Sequence, residues 1–168
     1  MILIRLGDLD TEKAHRIMAS ATYQSRVLVI KRTKLGETDC ICTLLSQDGS
    51  QIRAVAKGAR KPTSPFTSRL ELFSVCDVLF AKGKSLDIIK EARLIEGYPH
   101  LRENLEKTEA ASPIAELLEK GTVDSLENAQ LFALSTKALS FLDRQTFPDS
   151  SLLMITSAYL IKAMSFLG

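Results

Sequence analysis

The sequence predicts an α+β protein. A small closed five-stranded β-barrel over residues 23–94 is followed by an all-α half over residues 95–168, and residues 1–22 form an N-terminal extension. Three observations carry this. Short β-branched runs separated by Gly, Pro and Asp turns recur from Tyr23 to Ala92. The hydrophobic period then becomes helical after Gly97, Tyr98 and Pro99. The charge divides at the same place: residues 23–94 hold 13 basic and 7 acidic side chains, net +6, and residues 95–168 hold 6 basic and 10 acidic, net −4. The 168 residues are 45% hydrophobic and 25% charged, a globular composition that excludes disorder and collagen. A chain this long buries roughly two-thirds of its extended surface and needs no disulfide or metal to fold. Three cysteines, an odd number, argue against a secreted disulfide framework. Met1 to Asp8 carries no basic region ahead of an apolar run, so no secretory signal is read and a cytoplasmic location is expected.

The elements follow in order. Residues 1–17 read as an appendage, and Met18, followed by small and polar residues, as an alternative start. Arg26–Ile30 is a β-branched strand that ends in Lys31, Arg32 and Thr33. Leu35–Asp39 is a turn by composition, and Cys40–Ser46 is the second strand. Asp48-Gly49 is a strong hairpin signal leading into Gln51–Ala56. Lys57–Pro65, with one glycine and two prolines, is a loop. Leu70–Phe80 and Leu86–Ala92 are the last strands, joined by a turn at Lys82-Gly83-Lys84. Five short antiparallel strands in about 70 residues close most readily into a barrel, because closure removes exposed edges.

In the helical half, Leu101, Leu105 and Thr108 share one stripe. Ser112-Pro113 reads as a helix start, with serine as cap and proline in the first turn. Ile114, Leu117 and Leu118 follow, and Gly121 stops that helix. Asp124 and Glu127 have capping-box spacing ahead of a helix with Leu131, Leu134, Ala138 and Leu142 on one face. Phe147, Pro148 and Asp149 open the last helix, to about Leu167. Its only charge after Asp149 is Lys162, but Thr156, Ser157 and Ser165 interrupt it and it is shorter than a typical span. A central helix of a small bundle is expected, not a membrane segment. The chain stops at Phe166-Leu167-Gly168 without a polar tail, which reads as a truncation of the helical half.

Catalytic chemistry is missing from the pattern. His15 and His100 have no nucleophile or carboxylate at motif spacing, and there is no Walker loop, dinucleotide fingerprint or zincin helix. No enzyme activity and no cofactor are expected. Cys40 and Cys42 share a strand face and Cys76 lies in another strand. Buried apolar cysteine is the expectation, since tetrahedral zinc wants four ligands at recognisable spacing.

Basic chemistry is present. Lys57, Arg60 and Lys61 surround Gly58, whose freedom would let backbone N–H groups approach a phosphate. Arg53 and Arg69 sit at either end of this region. Lys31, Arg32 and Lys34 cluster after the first strand, and Lys82 and Lys84 flank a hairpin turn. Converging on one surface, these groups would track a phosphodiester backbone and release counterions. Phe66, in the basic loop, is the candidate stacking platform, while Phe73 and Phe80 are expected in the core. A protein-interaction barrel for acidic peptides and an RNA-binding barrel remain the alternatives.

Leu35-Gly36-Glu37-Thr38-Asp39, then Leu44-Leu45-Ser46 with Gly49, then Val55 to Lys61, then Leu70-Glu71-Leu72-Phe73 resemble the N-terminal domain of the RecO family of bacterial DNA-repair proteins. The resemblance runs from about Tyr23 to Gly168, more softly over the helical half. It implies an OB-fold barrel followed by a helical domain. It implies binding of single- and double-stranded DNA and annealing of complementary strands. RecR, the single-stranded DNA-binding protein SSB and the RecA loading pathway are the partners it implies, in the cytoplasm at the nucleoid. Members of the family commonly continue past the point matching Gly168 into a zinc-binding cysteine cluster, so no zinc is expected on these residues.

Overall fold

The structure, a computed structural model, describes residues 21–124, 127–146 and 149–168. His15, the alternative start at Met18 and the Phe147-Pro148 helix start lie outside the described residues. Strands β1 (Thr22–Leu35), β2 (Asp39–Ser46), β3 (Gln51–Ala56), β4 (Val75–Ala81) and β5 (Asp87–Glu96) close in the order β1-β2-β3-β5-β4, with β4 paired back onto β1. This is the OB-like barrel that the strand pattern and the resemblance lead one to expect. One pairing corrects the all-antiparallel expectation: β3 and β5 run parallel where Ala54 meets Asp87 and Val55 meets Ile88. A ring of five strands cannot alternate direction all the way round, so one neighbouring pair must be parallel.

β1 extends to Leu35 rather than ending near Ile30, because it serves two partners. Thr22–Leu28 pair with β4, Val27–Leu35 pair with β2, and a bulge falls between Val29 and Lys31. Such a bulge bends a strand and raises its twist, which lets one strand wrap from one side of the barrel to the other. β4 begins at Val75, not Leu70. The preceding segment holds a short helix, α1 (Phe66–Arg69), and a turn in which Phe73 adopts φ 69°. The apolar run over Leu70–Phe73 imitates a strand, but its residues are plugs: Leu70 fills the barrel interior and Phe73 fills a second core.

The barrel interior holds Val27, Val29, Leu44, Ala54, Ala56, Val78, Phe80 and all three cysteines. The second core lies outside the sheet. Leu28, Ile30 and Leu45 on the outer face of β1 and β2 pack with Ile114, Leu118, Leu131, Leu139 and Leu142 of the helices.

The helices are α2 (Pro99–Glu103), α3 (Leu105–Gly121), α4 (Ala129–Arg144) and α5 (Asp149–Leu167). The expected Leu101–Leu105–Thr108 stripe is broken at Asn104, whose extended backbone separates α2 from α3 and whose side chain accepts from the Lys107 N–H at 3.0 Å. Leu101 is buried and Leu105 exposed as a result. Ser112-Pro113 is not a helix start, since Pro113 lies inside α3. Proline removes one helical donor, and here the Ser112 hydroxyl bonds back to Thr108 O at 3.0 Å. The Asp124–Glu127 spacing does not cap α4, which begins at Ala129 after Asn128.

α5 is long and apolar enough to cross a membrane by length and composition. In the fold it packs through Leu152, Thr156, Tyr159 and Ala163. Thr156 Oγ1 donates to Ala110 O at 2.8 Å, and the Tyr159 and Ser135 hydroxyls share a 2.8 Å bond. Leu153, Met154, Ile161 and Met164 stay exposed.

Barrel and helices are sewn together at the β2–β3 turn. Gln51 N–H donates to Val123 O at 2.9 Å, and the Gln51 amide nitrogen lies 3.0 Å from Glu119 O. Gly49 sits at φ 93°, and a Cβ there would fall 2.2 Å from Asn128 O. At the other seam Tyr98 is buried, with its hydroxyl donating to Thr136 O at 3.0 Å.

Candidate nucleic-acid interface

Strand alternation sorts the basic residues. Cys40, Cys42 and Leu44 face the barrel interior, so Asp39, Ile41 and Thr43 of β2 face outward. The β1–β2–β3 register places Lys31, Thr43 and Arg53 in one outward row. Thr33, Ile41, Val55 and Ile88 form the next row. The outer face of β2–β3 is therefore a half-exposed apolar strip of Ile41, Val55 and Ile88 with cations at its margins.

Because β1 continues to Leu35, the Lys31-Arg32-Lys34 group is not one cluster. Lys31 lies at the edge of the helical half, its Nζ 2.5 Å from Glu119 Oε1. Arg32 and Lys34 alternate to the other side, opposite Cys42 and Cys40. Arg32 is half-buried, and its Nε is shielded without a hydrogen-bond partner among the described residues. Lys34 is exposed near the strand end.

The Lys57–Lys61 loop is fastened to the β1–β2 turn. Gly58 adopts φ 65°, a left-handed conformation that glycine adopts freely. Its N–H is not left open for a phosphate but donates to Asp39 Oδ1 at 2.8 Å. Thr38 Oγ1 donates to the same oxygen at 3.0 Å. Arg60 donates from its backbone to Thr38 O and from Nη1 to Gly36 O, both at 2.9 Å. The Gly58 N–H, the Thr38 hydroxyl and the nearby charges of Lys57 and Lys61 hold the Asp39 carboxyl below its ordinary range. Arg60 thus anchors the loop, while Lys57 and Lys61 are exposed near the Asp39 carboxylate.

At the β4–β5 turn, Lys82 Nζ lies 4.7 Å above the Tyr23 ring and 3.7 Å from Asp87 Oδ2. The Tyr23 hydroxyl donates to Asp87, and its ring stacks on Phe80 at 4.9 Å. Arg53, Lys82 and Lys84 line one open cleft of about 670 Å³, beside Gln51, Thr122 and Asp124 from the seam with the helices.

Phe66 and Arg69 belong elsewhere. They open onto a concavity of about 1280 Å³ over β1, β4 and β5, with Arg26, Lys90 and Arg93. Phe66 is half-buried against the barrel core, so only part of its ring is available. Arg69 Nη1 donates to Ala92 O at 3.2 Å. Arg26, Lys90 and Arg93 were missed by the sequence reading. Strand alternation was the signal that could have found them, once β1 and β5 were correctly bounded. The basic residues expected on one track thus divide between two clefts, which meet at Gln24, Ser25, Ser46 and Asp48.

The cysteines do not join either face. Cys76 Sγ donates to Arg69 O at 2.8 Å. Burial pushes the Cys76 thiol up to about 12 and the Cys42 thiol upward as well, so both stay protonated. Among the described residues no group of three or more His, Cys, Asp and Glu side chains could hold a metal ion.

Residues 18–98 match the family described as Recombination protein O N terminal. The chain is 36% identical over 146 residues to the DNA repair protein RecO of Desulfitobacterium hafniense, covering 87% of this chain and 52% of that one. It is 35% identical over 150 residues to the DNA repair protein RecO of Bifidobacterium longum, covering 87% and 61%. With the protein of the same name from Synechococcus elongatus it shares 38% over 127 residues, 76% of this chain and 48% of that one. The chain spans about half the length of the curated relatives it matches.

Proposed function

Because the chain belongs to the RecO family through its barrel, we propose that it is a non-enzymatic DNA-binding module of recombinational repair acting in the cytoplasm. The outer β2–β3 face holds the DNA. Lys57 and Lys61, Arg53, and Lys82 and Lys84 contact phosphates along its margins, and Ile41, Val55 and Ile88 offer apolar surface to sugars and bases. Gly58 and Arg60 position the loop instead of touching DNA. Binding of this kind is dominated by the backbone and reads little sequence. Screening phosphate charge on single and double strands favours the annealing of complementary partners. The helical half, with its net −4, avoids DNA and docks proteins. RecR, SSB and the RecA loading step are the partners proposed for it.

The observation that carries this reading is the fastening of the β1–β2 turn to the Lys57–Lys61 loop. It holds two exposed lysines in place beside the apolar strip. A fluorescence-anisotropy titration tests it with single-stranded DNA, RNA of equal length and an acidic peptide as competitor. DNA binding that weakens with salt and resists the peptide is expected. Preference for RNA would indicate contacts to the 2′-hydroxyl and displace the DNA reading.

A further inference from the structure

We propose that the outer face of β1, β4 and β5 is a second binding site for a single-stranded nucleic acid, so that one barrel carries two strand segments at once. This rests on the DNA-binding reading above and goes beyond it. In the ring order β1-β2-β3-β5-β4, neither β2 nor β3 pairs with β4. The concavity over β4 therefore lies on a different flank from the Ile41–Val55–Ile88 strip, and it meets the Arg53–Lys84 cleft at Gln24, Ser25, Ser46 and Asp48.

Its four cations come from three elements, Arg26 of β1, Arg69 of α1, and Lys90 and Arg93 of β5, arranged around Asp77 of β4. Arg26 grips Asp77 through two bonds, Nε to Oδ1 at 2.7 Å and Nη2 to Oδ2 at 3.0 Å. Arg93 Nη2 holds the other side at 2.7 Å from Oδ2. A guanidinium carries five N–H donors, so both arginines keep donors after serving Asp77. The carboxylate fixes two long side chains that would otherwise be mobile, and the trio retains one positive charge. Arg69 and Lys90 add two more. Asp48 and Glu91 also line the concavity, and Asp48 is engaged by the Ser50 backbone and hydroxyl at 2.9 and 2.6 Å.

Apolar surface is interleaved with this charge. Phe66 and Pro65 form one wall, and Leu94, 43% exposed, lies beside them. Fixed guanidinium groups beside apolar and aromatic surface suit a flexible single strand, whose bases are free to pack while its phosphates are neutralised. Two strands held on one small particle meet at millimolar effective concentration, which speeds annealing without requiring the two sites to touch.

Native mass spectrometry of the full chain with a deoxythymidine oligomer of about four nucleotides, the short end of what one OB-fold site holds, tests this directly. Complexes of one chain with one and with two oligomers are expected. Lys90→Ala/Arg93→Ala should weaken only one of the two binding steps, by about tenfold. Lys90→Glu, which leaves both arginines on Asp77, should do the same. Lys57→Ala/Lys61→Ala should weaken the other step. A two-oligomer complex that persists unchanged in both Lys90 variants overturns the second site while leaving the β2–β3 reading intact. Failure of the unmodified chain to bind any oligomer overturns both.

Discussion

Replacing Lys57 and Lys61 together by alanine isolates the phosphate contacts of the proposed β2–β3 face. Both side chains are exposed, and the fastening of their loop runs through Gly58, Arg60 and Asp39 instead. The double variant should therefore keep its fold. Each phosphate neutralised contributes about 0.7 to the slope of log K against log salt for a single strand, and about 0.9 for a duplex. Losing two contacts should flatten the slope by about 1.4 and 1.8 units. Between 50 and 200 mM salt, the unmodified chain should then lose about sevenfold more single-strand affinity than the variant, and about twelvefold more duplex affinity. Anisotropy titrations at four or five salt concentrations measure this. Arg60→Ala is the informative companion, because it deletes the bond to Gly36 O without removing a phosphate contact, and so should weaken binding at low salt while leaving the slope nearly unchanged. Parallel salt lines for the unmodified chain and the Lys57/Lys61 variant would remove this loop from the site.

Three further outcomes follow from other bonds. Asp39→Asn keeps an acceptor for the Gly58 N–H but deletes the carboxylate that faces Lys57 and Lys61, so DNA affinity should rise and the thermal midpoint change little; weaker binding would assign Asp39 a direct role. Tyr98→Phe deletes the bond to Thr136 O in a buried seam, which should cost about 1 kcal/mol and lower Tm by about 2–4 °C in a melting experiment. Asp77 has its carboxyl held below the ordinary range, first by the Arg26 hydrogen bonds and then by Arg93. A depressed folded pKa gives stability that is complete above about pH 4 and is lost as pH falls through the folded value. Asp77→Asn should therefore lie furthest below the unmodified chain at neutral pH, with the gap closing in acid, as denaturant melts across pH will show.

The strand positions were legible because turn chemistry is local. Asp48-Gly49 and Lys82-Gly83-Lys84 mark reversals whatever surrounds them. The extension of β1 was not legible, since Lys31–Leu35 is polar on both faces and only pairing with β2 makes it a strand. That error grouped Lys31, Arg32 and Lys34, which the bulge and alternation separate. Leu70–Phe73 misled for the opposite reason: an apolar run looks the same whether it forms a strand or plugs two cores. Pro113 carried a start signal that tertiary packing overrode, because α3 gains more from burying Ala110, Ala111 and Ile114 as one continuous helix. The loop lysines stood out in the sequence, but the bond that occupies Gly58 depends on Asp39 nineteen residues away.

Leu28, Ile30 and Leu45 point out of the barrel, and the helices are their cover. Stripping away residues beyond Gly97 would leave an oily flank on β1 and β2, so the barrel excised by itself is expected to aggregate rather than fold as a tidy fragment. The same residues make the flank of the barrel and the inner faces of the helices one continuous apolar core. A protein that docked on the helices would thereby be tethered to the sheet through side chains it never meets.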